Sequence, residues 1–163
     1  MTIDAIDIRE VGVQQVKPLR TRVLRPHFED GRLLDYDGDD SDEAHHFAAV
    51  DAESGEVVGV VSYLPEELPV DGPSAEVRLR GMAVCEALRG QGVGSHLLST
   101  TLTKIALHHP RWSAVWASAR TSVTEFYANH GFEAVGPRFE MPSVGPHQRM
   151  VRELPDLMAG TRG

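Results

Sequence analysis

The sequence predicts one mixed α/β domain, and three observations carry that prediction. The chain has 163 residues, which is about one domain's worth. Apolar residues make up 41% and charged residues 25%, the proportions of a chain that buries a core. Strand-like and helix-like hydrophobic periods alternate in the order β-α-β-β-β-α-β-α-β-β. There is no internal repeat, low-complexity segment or linker, so the expected organisation is a single domain over 1–154 with a C-terminal tail over 155–163.

Each element has its own local signal. Ile3 to Val11 alternates as a strand. Val13 to Arg25 brings Val13, Val16, Leu19, Val23 and Leu24 to one helical face, with Pro18 near the first turn and Pro26 as the stop. Phe28 to Ala44 reads as a solvated acidic loop. His45–Val50 and Val57–Leu64 are β-rich runs on either side of a turn over 51–56, a hairpin. Pro65, Pro69 and Pro73 mark the next loop, and Glu76 to Val84 the next strand.

Gly92 to His108 is the strongest helix, with Val93, Leu97, Leu98, Thr101, Leu102, Ile105 and Ala106 in one stripe. Trp112–Ala119 is a strand, and Ser122–His130 a short helix stopped by Gly131. Phe132–Phe139 and Gln148–Leu154 close the order as strands.

Composition excludes several classes of function. No apolar run approaches about 18 residues, which argues against a membrane span. Met1 to Glu10 lacks the basic start and apolar centre of a signal peptide, so a cytoplasmic location is expected. The single cysteine, Cys85, cannot close an internal disulfide or build a cysteine zinc site. Net charge is −8, and its distribution is uneven. Glu29, Asp30, Asp35, Asp37, Asp39, Asp40, Asp42 and Glu43 stand against Arg32 alone. The remainder is nearly neutral, so the basic footprint of a nucleic-acid binder is missing.

The chemistry concentrates where the strand before Cys85 enters a glycine-rich turn and the long helix begins. The first N–H groups of a helix lack intrahelical acceptors, and its dipole places partial positive charge there. Gly90, Gly92 and Gly94 let a ligand approach that backbone closely. The combination suits a phosphate or pyrophosphate. A P-loop would need a Lys that is absent here. A dinucleotide fingerprint counted from Gly90 meets Ser95 in its third glycine slot, and the next strand ends in Arg120 instead of an acid. A nicotinamide oxidoreductase is therefore disfavoured.

Arg89-Gly90-Gln91-Gly92-Val93-Gly94 resembles the [RQ]-x-x-G-x-[GA] signature of the GNAT superfamily of acetyl-CoA-dependent N-acetyltransferases. Leu79-Arg80-Gly81-Met82-Ala83-Val84 is similar to that family's fourth strand, and Phe126-Tyr127-Ala128-Asn129-His130-Gly131-Phe132 to its F-Y-x-x-x-G-F element. Gly145-Pro146-His147 with Met150 resembles the last hairpin of several bacterial members. The likeness runs from about residue 3 to 154. It implies a mostly antiparallel sheet of about seven strands, splayed between strands 4 and 5 and flanked by helices. It also implies acetyl-CoA as cosubstrate, with pantetheine on the backbone of Met82, Ala83 and Val84. The pyrophosphate would sit on N–H groups of Arg89, Gly90, Gln91, Gly92, Val93, Gly94 and Ser95.

By the same resemblance, an acetyl group passes to a primary amine by direct attack in a ternary complex. Deprotonating a lysine-like amine at neutral pH costs about 4–5 kcal/mol, so a base or wet proton path must help. Tyr127 is the family-matched proton donor to the leaving thiolate. Glu76, at the start of the fourth strand, is the base candidate, beside His147, His45 and His46. His96, His108, His109 and His130 read as surface or helix-end residues, and Cys85 as a small strand-end residue. No H-x-x-x-H or H-E-x-x-H pair occurs, so no catalytic metal is expected.

The acceptor is expected to be a small molecule or peptide bearing an amine, and neither nucleic acid nor membrane is expected as a partner. The acidic loop would either attract a cationic amine or simply keep the surface solvated. Family members often dimerise, which leaves a homodimer open. The competing class is a non-catalytic acyl-CoA-binding module, which would need the glycine turn but not Tyr127.

Overall fold

Apolar runs without alternation belong to strands covered on both faces, and His45–Asp51 and Val57–Pro65 are buried along nearly their whole length. The computed structural model describes residues 5–157. Over these residues it has the expected class, mixed α/β and mostly antiparallel with flanking helices, with eight strands where about seven are expected. The chain folds as two compact units, residues 1–64 with 80–101 and residues 65–79 with 102–163.

In the first unit, β1 (Ile6–Val11) pairs antiparallel with β2 (His45–Asp51), from Ile6↔Asp51 to Val11↔His46. β2 pairs antiparallel with β3 (Val57–Pro65), with a register irregularity at Ala49/Val50. The intervening turn is closed by Asp51 N–H to Glu56 O at 2.9 Å and Gly55 N–H to Asp51 O at 2.7 Å. β4 (Val77–Val84) gives its second half to this unit. Helix α1 runs Val13–Leu24, and α2 (Val93–His108) begins here. Gly59 on β3 has a steric reason. A Cβ there would stand 3.3–3.5 Å from Ala49, Leu97 and Val93, so glycine lets the start of α2 sit close on the strand.

In the second unit, the start of β4 pairs parallel with β5 (Ala114–Arg120) at Val77↔Val115 and Arg78↔Trp116. β5 pairs antiparallel with β8 (Gly145–Glu153) over seven positions. The short strands β6 (Glu133–Ala134) and β7 (Phe139–Met141) both pair with β8. A small core of Ala75, Ala114, Trp116 and Val151, with Leu68 and Val135 against it, lies under β5 and β8. Trp116 is buried, and its indole N–H donates to Glu66 O at 2.7 Å.

Several boundaries differ from the sequence reading. The strand expected over Phe132–Phe139 is two short strands, because Gly136 takes φ +69° and Pro137 follows it. The expected helix Ser122–His130 is a 3-10 turn, Thr121–Val123, followed by helix α3, Thr124–Ala128. Pro18 lies six residues into α1, beyond the first turn. The first two residues of the expected strand from Ile3, and residues 158–163 of the expected tail, lie outside the described residues.

The larger correction concerns α1 and the acidic loop. The face of α1 that is buried carries Val16, Lys17, Leu19, Arg20 and Thr21, with a guanidinium where the stripe predicts only apolar groups. The loop is only partly solvated, since Leu34 and Asp39 are buried.

Candidate functional site

The glycine-rich turn lies wholly within the first unit. β4 ends at Val84, and Cys85 N–H donates to Val58 O at 2.8 Å, fixing the strand end on β3. A 3-10 turn over Glu86–Leu88 follows, then extended backbone at Arg89. Gly90 and Gly92 take φ +77° and +86°. An L-residue held in that left-handed region costs about 1–2 kcal/mol, so these two glycines answer a backbone demand. A Cβ at Gly90 would meet nothing within 4 Å, so the demand there is conformational and not steric.

Arg89, Gly90, Gln91 and Gly92 are exposed, while Gly94 and Ser95 are half-buried and Val93 buried. Intrahelical bonding in α2 starts with His96 N–H on Gly92 O at 3.0 Å, so Val93 and Gly94 precede it. Acids near a helix start offset the positive end of its dipole; α2 has none in its first turn. On β4, burial alternates: Met82 and Val84 are half-buried on one face, and Ala83 is buried on the other. This arrangement can hold an anion on backbone donors beside an extended strand.

A buried polar network lies in the same unit, and the sequence reading missed it. Arg20 Nη1 donates to Asp39 Oδ2 at 2.9 Å and to Leu34 O at 3.2 Å. Nη2 donates to Asp39 Oδ1 at 3.2 Å and to Ser62 Oγ at 2.8 Å. Tyr36 N–H reaches Asp39 Oδ2 at 2.9 Å, and Leu34 N–H reaches Thr21 Oγ1 at 2.8 Å. The Tyr36 ring takes the Arg20 guanidinium at 4.4 Å and that of Arg80 at 3.9 Å. Gly81 makes room for this packing. It has φ +63°, and a Cβ there would fall 2.7 Å from Arg20 Nε and 3.1 Å from the Tyr36 ring. Asp35 is ion-paired to Lys17 at 2.6 Å. Two of the eight acids are thus spent on internal cations.

His46 completes the network. Its Nε2 donates to Asp39 O at 2.9 Å, and its Nδ1 lies 2.6 Å from Ser62 Oγ. The Asp39 carbonyl can only accept, so Nε2 carries the proton. Nδ1 then accepts from the Ser62 hydroxyl, which itself accepts from Arg20. The neutral imidazole satisfies every partner. Burial pushes the His46 pKa below its ordinary value, against the opposing pull of the Asp39 carbonyl. Burial would raise the Asp39 carboxyl, but the Arg20 hydrogen bond and charge and the Tyr36 N–H outweigh it, and its pKa falls.

The signs give a pH dependence. With the folded His46 pKa below the unfolded one, its contribution to stability is complete above about pH 6.5 and is lost as pH falls below that. Asp39 adds a second loss, as pH falls below about 3.9. His130, lowered by burial and by Arg152, acts in the same direction as His46. Thermal unfolding from pH 7.5 to 5 should therefore show a falling Tm, with a shallower fall in His46→Gln. Identical slopes for the two proteins would refute the assignment to His46.

Within the second unit, Tyr127 sits on α3 and is 7% exposed. Its ring meets Phe126 and Phe132 edge-on at 5.4 and 5.2 Å. Its carbonyl accepts from His130 N–H and Phe132 N–H, and Gly131 at φ +86° turns the chain back. Glu76 lies just before β4, and both its oxygens are engaged: Oε2 accepts from Ser113 N–H at 2.8 Å and Oε1 from Ser113 Oγ at 2.7 Å. His147, on β8, is buried, and its Nδ1 lies 2.8 Å from Gly145 O. That carbonyl fixes the proton on Nδ1 and leaves Nε2 as the acceptor nitrogen. His45 Nδ1 lies 3.2 Å from Glu10 Oε1.

Among the described residues no group of three His, Cys, Asp or Glu gathers as a metal site, and no helix is long and apolar enough to cross a membrane. An open concavity of about 1240 Å³, lined by Ser74, Leu107, Trp112, Val135 and Leu157 among others, contains none of the sequence-predicted site residues.

Comparison with known proteins gives the family and the fold. A family model described as an acetyltransferase (GNAT) domain matches residues 42–134. The Bacillus subtilis (strain 168) protein YitI, an uncharacterized N-acetyltransferase, is 30% identical over 149 residues, covering 91% of this chain and 97% of that one. The crystal structure of Escherichia coli ElaA superposes with TM-score 0.66 at 25% identity, over 91% of this chain and 99% of that chain. An aminoglycoside 6'-N-acetyltransferase complexed with coenzyme A has the same fold, with TM-score 0.66 at 16% identity, over 92% and 98%.

Proposed function

Since the chain belongs to the GNAT acetyltransferase family, we propose that it transfers an acetyl group from acetyl-CoA to a primary amine, by direct attack within a ternary complex. The observation that carries this reading is the turn into α2: two left-handed glycines and a helix start without an acid of its own. Residues 1–154 are the functional domain in this reading, acting in the cytoplasm.

The roles are those the family resemblance implies. Backbone N–H groups from Arg89 to Ser95 hold the pyrophosphate, and the backbone of Met82, Ala83 and Val84 pairs with the pantetheine arm. A strand N–H near Val84 or Cys85 stabilises the tetrahedral oxyanion. The amine nitrogen bonds to the thioester carbon, the C–S bond breaks, and Tyr127 supplies a proton or hydrogen bond to the departing thiolate. The sequence nominates Glu76 for the amine proton. Its two oxygens already accept from Ser113, whereas Nε2 of His147 is an acceptor nitrogen held by Nδ1 on Gly145. We assign the proton to His147 on that ground and keep Glu76 as a fastener of Ser113.

Acetyl-CoA at about 100 times its Kd should stabilise the protein by about 2.7 kcal/mol. That is a rise in Tm of about 5–11 °C for a chain of this size. Free CoA should act similarly, and NAD and ATP should not. Turnover with an amine panel then separates an enzyme from a binding module. No shift with acetyl-CoA or CoA would overturn the assignment of the turn.

A further inference from the structure

The face of β5 and β8 that buries Trp116 and Val151 changes character at the next two rungs. Directly opposed residues of an antiparallel pair share a face, as do residues two apart along a strand. The sequence of rungs is therefore Trp116–Val151, Ser118–Arg149, Arg120–His147, from apolar core to a partly buried polar patch. Arg78, beside Trp116 in the parallel pairing, joins it: Nη2 donates to Ser118 Oγ at 3.4 Å, and Nη1 reaches Glu66 Oε2 at 3.0 Å and Oε1 at 3.4 Å. Arg78, Arg120 and Arg149 thus lie with Glu66 on one face, in a chain whose net charge is −8. The Arg149 guanidinium lies 4.2 Å over the Phe139 ring, which fixes its plane. Its Nε is buried and has no hydrogen-bond partner, and no carboxylate among the described residues pairs with it.

Resting on the acetyl-transfer reading, we propose that Arg149 is a specificity-determining residue that binds a carboxylate of the acceptor. The acceptor class is then amino acids or other small amines that carry a carboxylate, not polyamines. A planar guanidinium whose Nε lacks a protein partner matches a carboxylate bidentately. Glu66 on Arg78 shows that this face already holds one carboxylate on a guanidinium, there through Nη1 alone. One open fork matches a single negative charge. Arg149 and His147 are two residues apart on the same face, about 6.5–7 Å along the strand. That spacing places a carboxylate site and a proton acceptor at the two ends of a small amino acid.

Binding of product analogues tests this without requiring turnover. The probes are the N-acetyl derivatives of the twenty amino acids and the corresponding N-acetyl amino acid amides, titrated calorimetrically into the full chain saturated with free CoA. We expect at least one acid to bind, its amide to bind about 10- to 100-fold more weakly, and Arg149→Gln to erase the difference, as loss of a charge-assisted hydrogen-bonded pair should. Arg149→Lys should recover only part of it. Equal binding of acid and amide, unchanged discrimination in Arg149→Gln, or no binding by any of the twenty acids would overturn the proposal. If Arg149→Gln does not fold, the acid–amide comparison on the wild-type protein decides alone. A protein that binds these acids yet turns over no amine would remove the enzymatic reading and leave the carboxylate site standing.

Discussion

Arg20→Met should destabilise the protein by about 3–5 kcal/mol, because it leaves the Asp39 carboxylate buried without its cation. At about 2–4 °C per kcal/mol, Tm should fall by about 6–20 °C. Arg20 is fully buried and Asp39 nearly so, and four hydrogen bonds to Leu34, Asp39 and Ser62 go with the guanidinium. The pair's net contribution is far smaller than this loss, since both ions gave up hydration to fold. The double variant Arg20→Met with Asp39→Leu should therefore recover part of the stability lost in Arg20→Met alone, because no charge is then stranded. Denaturant unfolding of the single and double variants checks both statements. A loss under about 1 kcal/mol would mean that water reaches Asp39 and that the network is not a buried one. The Tyr36 ring, which meets the guanidinium groups of both Arg20 and Arg80, is held by the same anchor through its N–H on Asp39.

The sequence carried the fold wherever a local rule was strong. The stripe of α2 is buried at every position expected, from Val93 to Ala106. The turn over 51–56 forms as read, and the glycine turn opens the long helix where expected. The network around Arg20 was hidden because its members come from four separate segments, and each looks ordinary alone. An arginine in α1 reads as surface, a serine in an apolar strand as filler, and an aspartate among eight acids as solvated loop. One signal was available: Arg20 follows Leu19 within the turn that carries Val16, and Ser62 interrupts Val57–Leu64. A charged residue inside an apolar stripe asks for a buried partner. Strand ends after Phe132 were misread for a similar reason, since Gly136 and Pro137 break a run whose apolar pattern continues to Phe139. Arg149 was illegible because its setting comes from register: Ser118 stands opposite and the Phe139 ring lies under its guanidinium.

Tyr127→Phe should lower kcat by about 10²–10⁴-fold while leaving acetyl-CoA affinity nearly unchanged. The argument rests on what the substitution keeps. Phenylalanine retains the edge-on contacts to Phe126 and Phe132, and the backbone bonds from His130 and Phe132 do not involve the side chain. Only the hydroxyl is removed. A phenol near pKa 10 is a weaker acid than a thiol near 8.5, so full proton transfer to the thiolate is uphill by about 2 kcal/mol. A hydrogen bond that strengthens as charge develops on sulfur avoids that cost and still lowers the barrier. Such an interaction belongs to the transition state, so kcat and kcat/KM should fall together, with the Kd for acetyl-CoA fixed. A purely structural tyrosine would give the reverse pattern, a lower Tm with unchanged turnover per folded molecule. A non-catalytic acyl-CoA binder would show acetyl-CoA stabilisation in both proteins and no turnover in either, so the pair of measurements separates all three roles.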